Sequence, residues 1–275
     1  YIVAQGGQER GVVIAHDSRL MHNEFKDAAA LCLAANGIKT YVFPQLAPVP
    51  ELSYAVRSLG TIAGIVITAS HNPKQWNALK LLNEKGDFLN AAEGAAILEC
   101  AEKEDFTFAA VDYLGVIEEK DFTDAHLDAV LALPTVDVEA IRAAGFKVAL
   151  DAVNSVGGII MPRLLERLGV ECVCVNCEPT GEFAHNPEPL PSNLVELSEA
   201  VVANNADLGI SVDPDVDRLA LICENGQPFG EEYTLVSVAD YLLGRVYNEA
   251  LETGKSMEEI AAPLIAEGFN VIISA

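Results

Sequence analysis

Ile62-Ala63-Gly64-Ile65-Val66-Ile67-Thr68, followed at once by Ala69-Ser70-His71-Asn72-Pro73, is the stretch that decides the fold. The first seven residues are a nearly unbroken β-branched and aliphatic run. Such a run suits a strand covered on both faces, the situation of a parallel sheet between helices. Asn72-Pro73 then forces a turn, which holds the Ser70 hydroxyl out of the core. Working back from this strand, Glu51–Leu59 has helical periodicity and Ile38–Phe43 reads as a strand. Phe25–Asn36 is a helix stopped by Gly37, and Gly11–His16 is a further apolar run. Strands alternating with helices predict a parallel α/β sheet.

The same plan returns downstream. Phe146–Leu150 is a strand, and Asp151–Gly158 a small-residue turn opening a helix over Ile159–Leu168. Val170–Val175, Ala206–Val212 and Leu219–Glu224 are strands, with a helix at Leu194–Asn204. Residues 90–145 read as mostly helical and acidic. Glu231–Leu243 and Met257–Glu267 read as helices, and Asn270–Ser274 as a last strand. The expected architecture is therefore α/β, with two similar three-layer domains of mixed, mainly parallel sheets and the start of a third. The boundaries expected are 1–145, 146–229 and 230–275.

Seventeen Lys and Arg face 41 Asp and Glu, a formal net charge of −24. That surface repels nucleic acid and anionic membranes, so neither is expected as a partner. An anionic substrate would need a local cation to approach. No apolar run reaches the roughly 18 residues of a membrane span. Cys172-Val-Cys174-Val-Asn-Cys177 invites a zinc reading, but the segment alternates like a strand and no second Cys or His pair stands at zinc-finger spacing. Reduced thiols and a cytoplasmic setting are expected. The sequence leaves the oligomeric state open.

The chemistry-bearing residues gather at strand ends, where open α/β sheets bind ligands. Asp213-Pro214-Asp215-Val216-Asp217-Arg218 crowds three carboxylates into five residues, and a hard divalent cation is the natural remedy for their repulsion. An EF-hand does not fit: its sixth position needs glycine and here holds Arg218, and a strand pattern follows where a helix should be. An aspartyl-phosphate phosphatase places its Asp-x-Asp pair after the first strand, and here the pattern arrives late. Lys80, ten residues after Ser70, could serve as acid or base in a loop returning toward that serine. The glycines at 157 and 158 fit tight strand–helix packing, and His185-Asn186-Pro187-Glu188-Pro189 reads as a rigid surface loop.

Taken together, Thr68-Ala-Ser70-His71-Asn72-Pro73, then Asn77-x-x-Lys80, then Asp213-Pro-Asp215-x-Asp217-Arg218 resemble the phosphohexomutase superfamily of phosphoglucomutases and phosphomannomutases. His16-Asp17-Ser18-Arg19, the Glu178–Pro189 loop and Gly230-Glu231-Glu232 extend the resemblance over roughly residues 1–243. It implies that Ser70 is a phosphoserine carrying phosphate to and from a sugar phosphate. Asp213, Asp215 and Asp217 would hold Mg²⁺ together with Ser70, and Lys80 would be the acid/base. His71 and Arg19 would line the phosphoserine, and Arg218 and Asn72 would bind phosphate. A hexose 1,6-bisphosphate would be intermediate and activator. The alternative is a non-catalytic two-domain piece that folds and binds metal but lacks sugar recognition.

Overall fold

The computed structural model describes residues 1–104 and 108–266, which fall into two compact units, Tyr1–Gln227 and Pro228–Ala275. The first unit holds two sheets. In the first sheet the elements run β1 (Val12–His16), α1 (His22–Ala35), β2 (Thr40–Val42), α2 (Val49–Leu59), β3 (Ala63–Ile67) and β4 (Leu79–Leu82). They continue with α3 (Ala91–Lys103), β5 (Ile117–Glu119), α4 (Thr123–Leu131) and α5 (Val138–Ala144). Strand order is β4-β3-β1-β2-β5. All neighbours are parallel except β3 and β4, where Val66 lies opposite Lys80.

The central strand shows why the layers form. Every residue of β1 is buried. Val13 and Ala15 point to one face and pack with Leu52, Ala55 and Val56 of α2, while Val12 and Ile14 point to the other and pack with Ala30 of α1. Side chains alternate across a strand, so a continuous apolar run supplies both cores at once.

The second sheet repeats the device. It contains β6 (Lys147–Asp151), α6 (Gly157–Arg167), β7 (Glu171–Val175), α7 (Val195–Asn204), β8 (Leu208–Val212) and β9 (Leu219–Cys223), in strand order β7-β6-β8-β9. Val148 and Leu150 pack with Leu165 of α6, and Ala149 with Leu197 and Val201 of α7. A Cβ on Gly158 would lie 2.0 Å from the Cys177 carbonyl oxygen, so only glycine lets α6 approach this closely. β9 is antiparallel to β8, as β4 is to β3. The two sheets therefore end in equivalent hairpins, and each hairpin loop carries one half of the candidate site.

Residues 90–145 are mostly helical, as expected, with β5 adding a parallel edge strand among the helices. Two expectations need correction. Lys80 sits not in a loop but within β4, whose pairing with β3 fixes its position. In the second unit the helix α8 (Glu231–Thr253) runs past Leu243 to a Gly254 cap in the left-handed region. There α9 (Met257–Ala266) packs through Ala261, Met257 and Ile260 on Val246. The strand expected at Asn270–Ser274 lies outside the described residues. Among those described, no helix is long and apolar enough to cross a membrane.

One buried carboxylate makes stability depend on pH. Glu51 on α2 is 1% exposed and accepts a hydrogen bond from Thr123 Oγ1 at 3.2 Å. Burial pushes its pKa up to about 7, despite the Thr123 bond. The folded protein thus holds a proton that the unfolded chain has released above the ordinary glutamate range. The stabilisation is present below that range and is lost as pH rises through about 7. Glu51→Gln is expected to raise stability at pH 8 by about 3 kcal/mol and to change little at pH 4. Urea unfolding at the two pH values checks this, and equal effects at both would refute it.

Candidate active site

The loop between β3 and β4 is built around Thr68, which is fully buried. Its hydroxyl accepts the Ser70 N–H at 3.0 Å and lies 2.7 Å from Asp17 Oδ2 and 3.2 Å from Asp215 Oδ2. Ser70 takes a left-handed backbone conformation, φ +51°. That turn aims its hydroxyl at the second hairpin, where Ser70 Oγ donates to Asp213 Oδ2 at 3.0 Å and lies 3.4 Å from His71 Nδ1.

The loop between β8 and β9 is held as firmly. Asp213 Oδ1 accepts the backbone N–H groups of Asp217 and Arg218, both at 3.1 Å. The Asp215 carbonyl accepts the N–H of Val49, at the start of α2, at 3.0 Å. Ser18 donates to Ser155 Oγ at 2.8 Å, and Ser155 in turn donates to the Pro214 carbonyl at 2.7 Å. The two sheets are thus stitched together at their hairpin ends.

Between the loops, carboxylate oxygens of Asp213, Asp215 and Asp217 lie within 4.8 Å of one another. Burial, and then the charge of Asp215, pushes Asp213 up to about 8. Lys80 answers part of this negative charge, with Nζ 2.7 Å from Asp215 Oδ2 and 2.8 Å from Asp217 Oδ2. Burial opposes its charge, but Asp215 and Asp217 prevail and raise its pKa. Asp215 Oδ1 is buried and has no hydrogen-bond partner among the described residues. An orphaned buried carboxylate oxygen inside an oxygen-only cluster fits a hard cation such as Mg²⁺. Above the cluster is a cavity of about 510 Å³ lined by Ser70, His71, Trp76, Lys80, Phe88 and Arg218.

The residues singled out from sequence do not all face that cavity. Ser70, His71, Lys80 and Asp217 line it, while Asp213 and Asp215 are fully buried. Arg218 stands at its rim, 3.9 Å from Glu188. Asn72 also lines the cavity, but its side-chain amide donates back to the Ala69 carbonyl at 2.9 Å. Arg19 is 1% exposed and lies beneath the serine loop, donating to the carbonyls of Ser70, Asn72 (2.8 Å), Pro73 (3.0 Å) and Trp76 (3.0 Å). Its Nε donates to Asp17 Oδ2 at 3.2 Å. Arg19 therefore shapes the loop from below. Thr68, Ser155 and Phe183 received no role of their own from the sequence, although Thr68 and Phe183 stand in motifs it singled out: their contacts are long-range, and no local pattern announces them. The cysteines of β7 form no metal cluster, since the aspartate triplet is the only such group among the described residues.

Comparison with known proteins fits this architecture. The family model for phosphoglucomutase/phosphomannomutase alpha/beta/alpha domain I matches residues 1–108, and that for domain II matches residues 124–226. This chain belongs to the alpha-D-phosphohexomutase superfamily. A phosphoglucomutase/phosphomannomutase of Thermococcus kodakarensis is 34% identical over 266 residues, which cover 94% of this chain and 58% of that protein. A Methanobrevibacter smithii protein named "Probable phosphoglucosamine mutase" is 33% identical, over 84% of this chain and 51% of its own length. The crystal structure of a phosphoglucomutase/phosphomannomutase family protein from Burkholderia thailandensis superposes with a TM-score of 0.71 at 28% identity, covering 89% of this chain and 52% of that one. The chain thus spans about half the length of the curated relatives it matches.

Proposed function

We propose that this chain performs the phosphoryl-transfer chemistry of a phosphohexose mutase, interconverting hexose 1-phosphate and hexose 6-phosphate through a phosphoserine at Ser70 and a bisphosphorylated sugar. The observation that carries this reading is the Ser70 hydroxyl, bonded to Asp213 at 3.0 Å and opening on a cavity with Lys80 and Arg218. In loading, a P–O bond of the sugar bisphosphate breaks and the Ser70 Oγ–P bond forms. The serine proton ends on the released sugar oxygen. In the return step the serine ester breaks and a sugar hydroxyl takes the phosphate. Such transfers depend on positioning and charge neutralisation more than on covalent assistance.

Asp213, Asp215 and Asp217 would hold Mg²⁺, with an oxygen on Ser70 as a further ligand, and the cation would neutralise charge on the transferring group. Lys80, an ammonium in this setting, is suited to give a proton to the departing oxygen. His71 flanks the serine hydroxyl, and Arg218 offers a charge-assisted contact to phosphate from the rim. The relatives' names differ in the sugar, so the substrate class proposed is a hexose phosphate. Six free cysteines fit a reducing, cytoplasmic setting.

Incubation with glucose 1,6-bisphosphate and Mg²⁺, followed by peptide mapping, tests the proposal. One phosphate should appear, at Ser70. A protein that binds Mg²⁺ but takes up no phosphate would instead be the metal-binding, non-catalytic piece of such a mutase. The metal site has its own test. Ligand at about 100 times its Kd adds about 2.7 kcal/mol of stability by mass action. Melting should therefore shift upward with Mg²⁺ relative to chelator, and Asp215→Asn should shrink the shift. Superimposable curves with and without Mg²⁺ would remove the metal from the reading.

A further inference from the structure

The segment from Glu178 to Pro189, whose second half, residues 185–189, reads in sequence as a rigid surface loop, is a bracket around the serine loop. At its base His185 Nε2 is paired with the buried Asp151 carboxylate at 3.0 Å. The Gly181 N–H donates to the Asn154 carbonyl at 3.0 Å, and Asn154 Nδ2 donates to the Glu182 carbonyl at 3.1 Å. Gly181 has φ +73°, and a Cβ there would fall 2.0 Å from the Ser18 carbonyl oxygen. The bracket therefore touches the Asp17–Arg19 turn backbone to backbone. At its tip Glu182 pairs with Lys74 at 2.5 Å, and the Phe183 ring lies against Arg19, 5.0 Å from guanidinium carbon to ring centroid.

Arg19 is the hub of the serine loop, as its donors go to the carbonyls of Ser70, Asn72, Pro73 and Trp76. The guanidinium lies over the ring of Phe183, which keeps water from competing for the cation and loosening its geometry. We propose that Phe183 is a positioning residue for phosphoryl transfer: through Arg19 it holds the Ser70 loop in the conformation that accepts phosphate. This rests on the reading of Ser70 as phosphate carrier. The exposed Lys74–Glu182 pair adds little energy by itself, so the aromatic contact carries the coupling.

Three variants test it: Phe183→Ala, Phe183→Leu, which keeps apolar bulk without a π face, and Phe183→Tyr, which keeps the ring. Two readouts apply, the single-turnover rate of Ser70 phosphorylation by glucose 1,6-bisphosphate with Mg²⁺ and the emission of Trp76. Trp76 is the only tryptophan in the chain, and its carbonyl is bonded to Arg19. The Ala variant should slow phosphorylation about tenfold, the Leu variant about threefold, and Tyr should restore it to within about twofold. Trp76 emission should shift in Ala and Leu but not in Tyr, with melting temperatures close to wild type. If Ala does not fold, Leu against Tyr decides. Phosphorylation at the wild-type rate in Leu and Ala overturns the positioning role. A wild-type protein that takes no phosphate overturns the reading of Ser70 instead; emission unchanged in Leu would then also overturn the hold of Phe183 on the loop.

Discussion

Replacing Ser70 with alanine is expected to abolish phosphate uptake while leaving the fold intact. The side chain makes two hydrogen bonds, from Oγ to Asp213 Oδ2 and a longer one with His71 Nδ1 at 3.4 Å, and Asp213 keeps the N–H groups of Asp217 and Arg218 on its other oxygen. Losing each such bond costs on the order of 1 kcal/mol, small against the stability of a domain. The Thr68, Asp17 and Arg19 scaffold beneath the loop does not involve the hydroxyl. A wild-type melting curve with no phosphorylated peptide is the expected pair of results. Labelled phosphate entering Ser70→Ala undiminished would show that another group is the acceptor.

Replacing Arg19 with methionine is expected to damage both fold and function. The guanidinium serves four loop carbonyls and the Asp17 carboxylate, and both side chains of that ion pair are fully buried. Burial already pushes Asp17 up to about 6, with Thr68 and then Arg19 acting to lower it. Without the cation, Asp17 stays as an uncompensated buried charge or takes up a proton. Breaking a buried pair in this way costs about 3–5 kcal/mol, and orphaned carbonyls add to that. Urea unfolding should show a loss of at least this order, with phosphate uptake falling too. Arg19→Lys should rescue little, because a point ammonium cannot reproduce a planar fork that reaches carbonyls on several sides. A lysine variant as stable as wild type would contradict the role given to the guanidinium geometry.

The parts of this molecule that sequence makes legible are those where the physical signal is local. β1 and β3 announce themselves because a strand covered on both faces needs a nearly unbroken apolar run. Ser70 and the three aspartates announce themselves because their chemistry is packed into a few consecutive residues. β4 and β5 escape for the opposite reason. Leu79-Lys80-Leu81-Leu82 is short and begins exposed, and Ile117-Glu118-Glu119 is exposed throughout. Each is a strand by virtue of a neighbour's backbone rather than its own pattern. The same limit applies in the site. The motif at 16–19 marks Arg19 as notable, but only the folded chain reveals that its donors turn under the loop. The Phe183 contact depends on two domains closing together, which no spacing encodes.

The left-handed backbone at Ser70 limits what evolution can do with this position. A β-branched side chain at positive φ is strained, so threonine, chemically able to carry phosphate, would fit less well than serine, although Val153 (φ +47°) and Val216 (φ +59°) hold the same conformation elsewhere in this chain. Glycine would enter this conformation without strain but brings no oxygen. Cysteine would fit the backbone no worse than serine while offering sulfur in place of the ester oxygen. The mutational neighbourhood of the loop therefore contains routes to a quieter, better-relaxed turn, and reaches a second hydroxyl only at a cost in strain. A lineage that lost Ser70 would keep a sound scaffold, and the least strained way back to a hydroxyl at this position is serine.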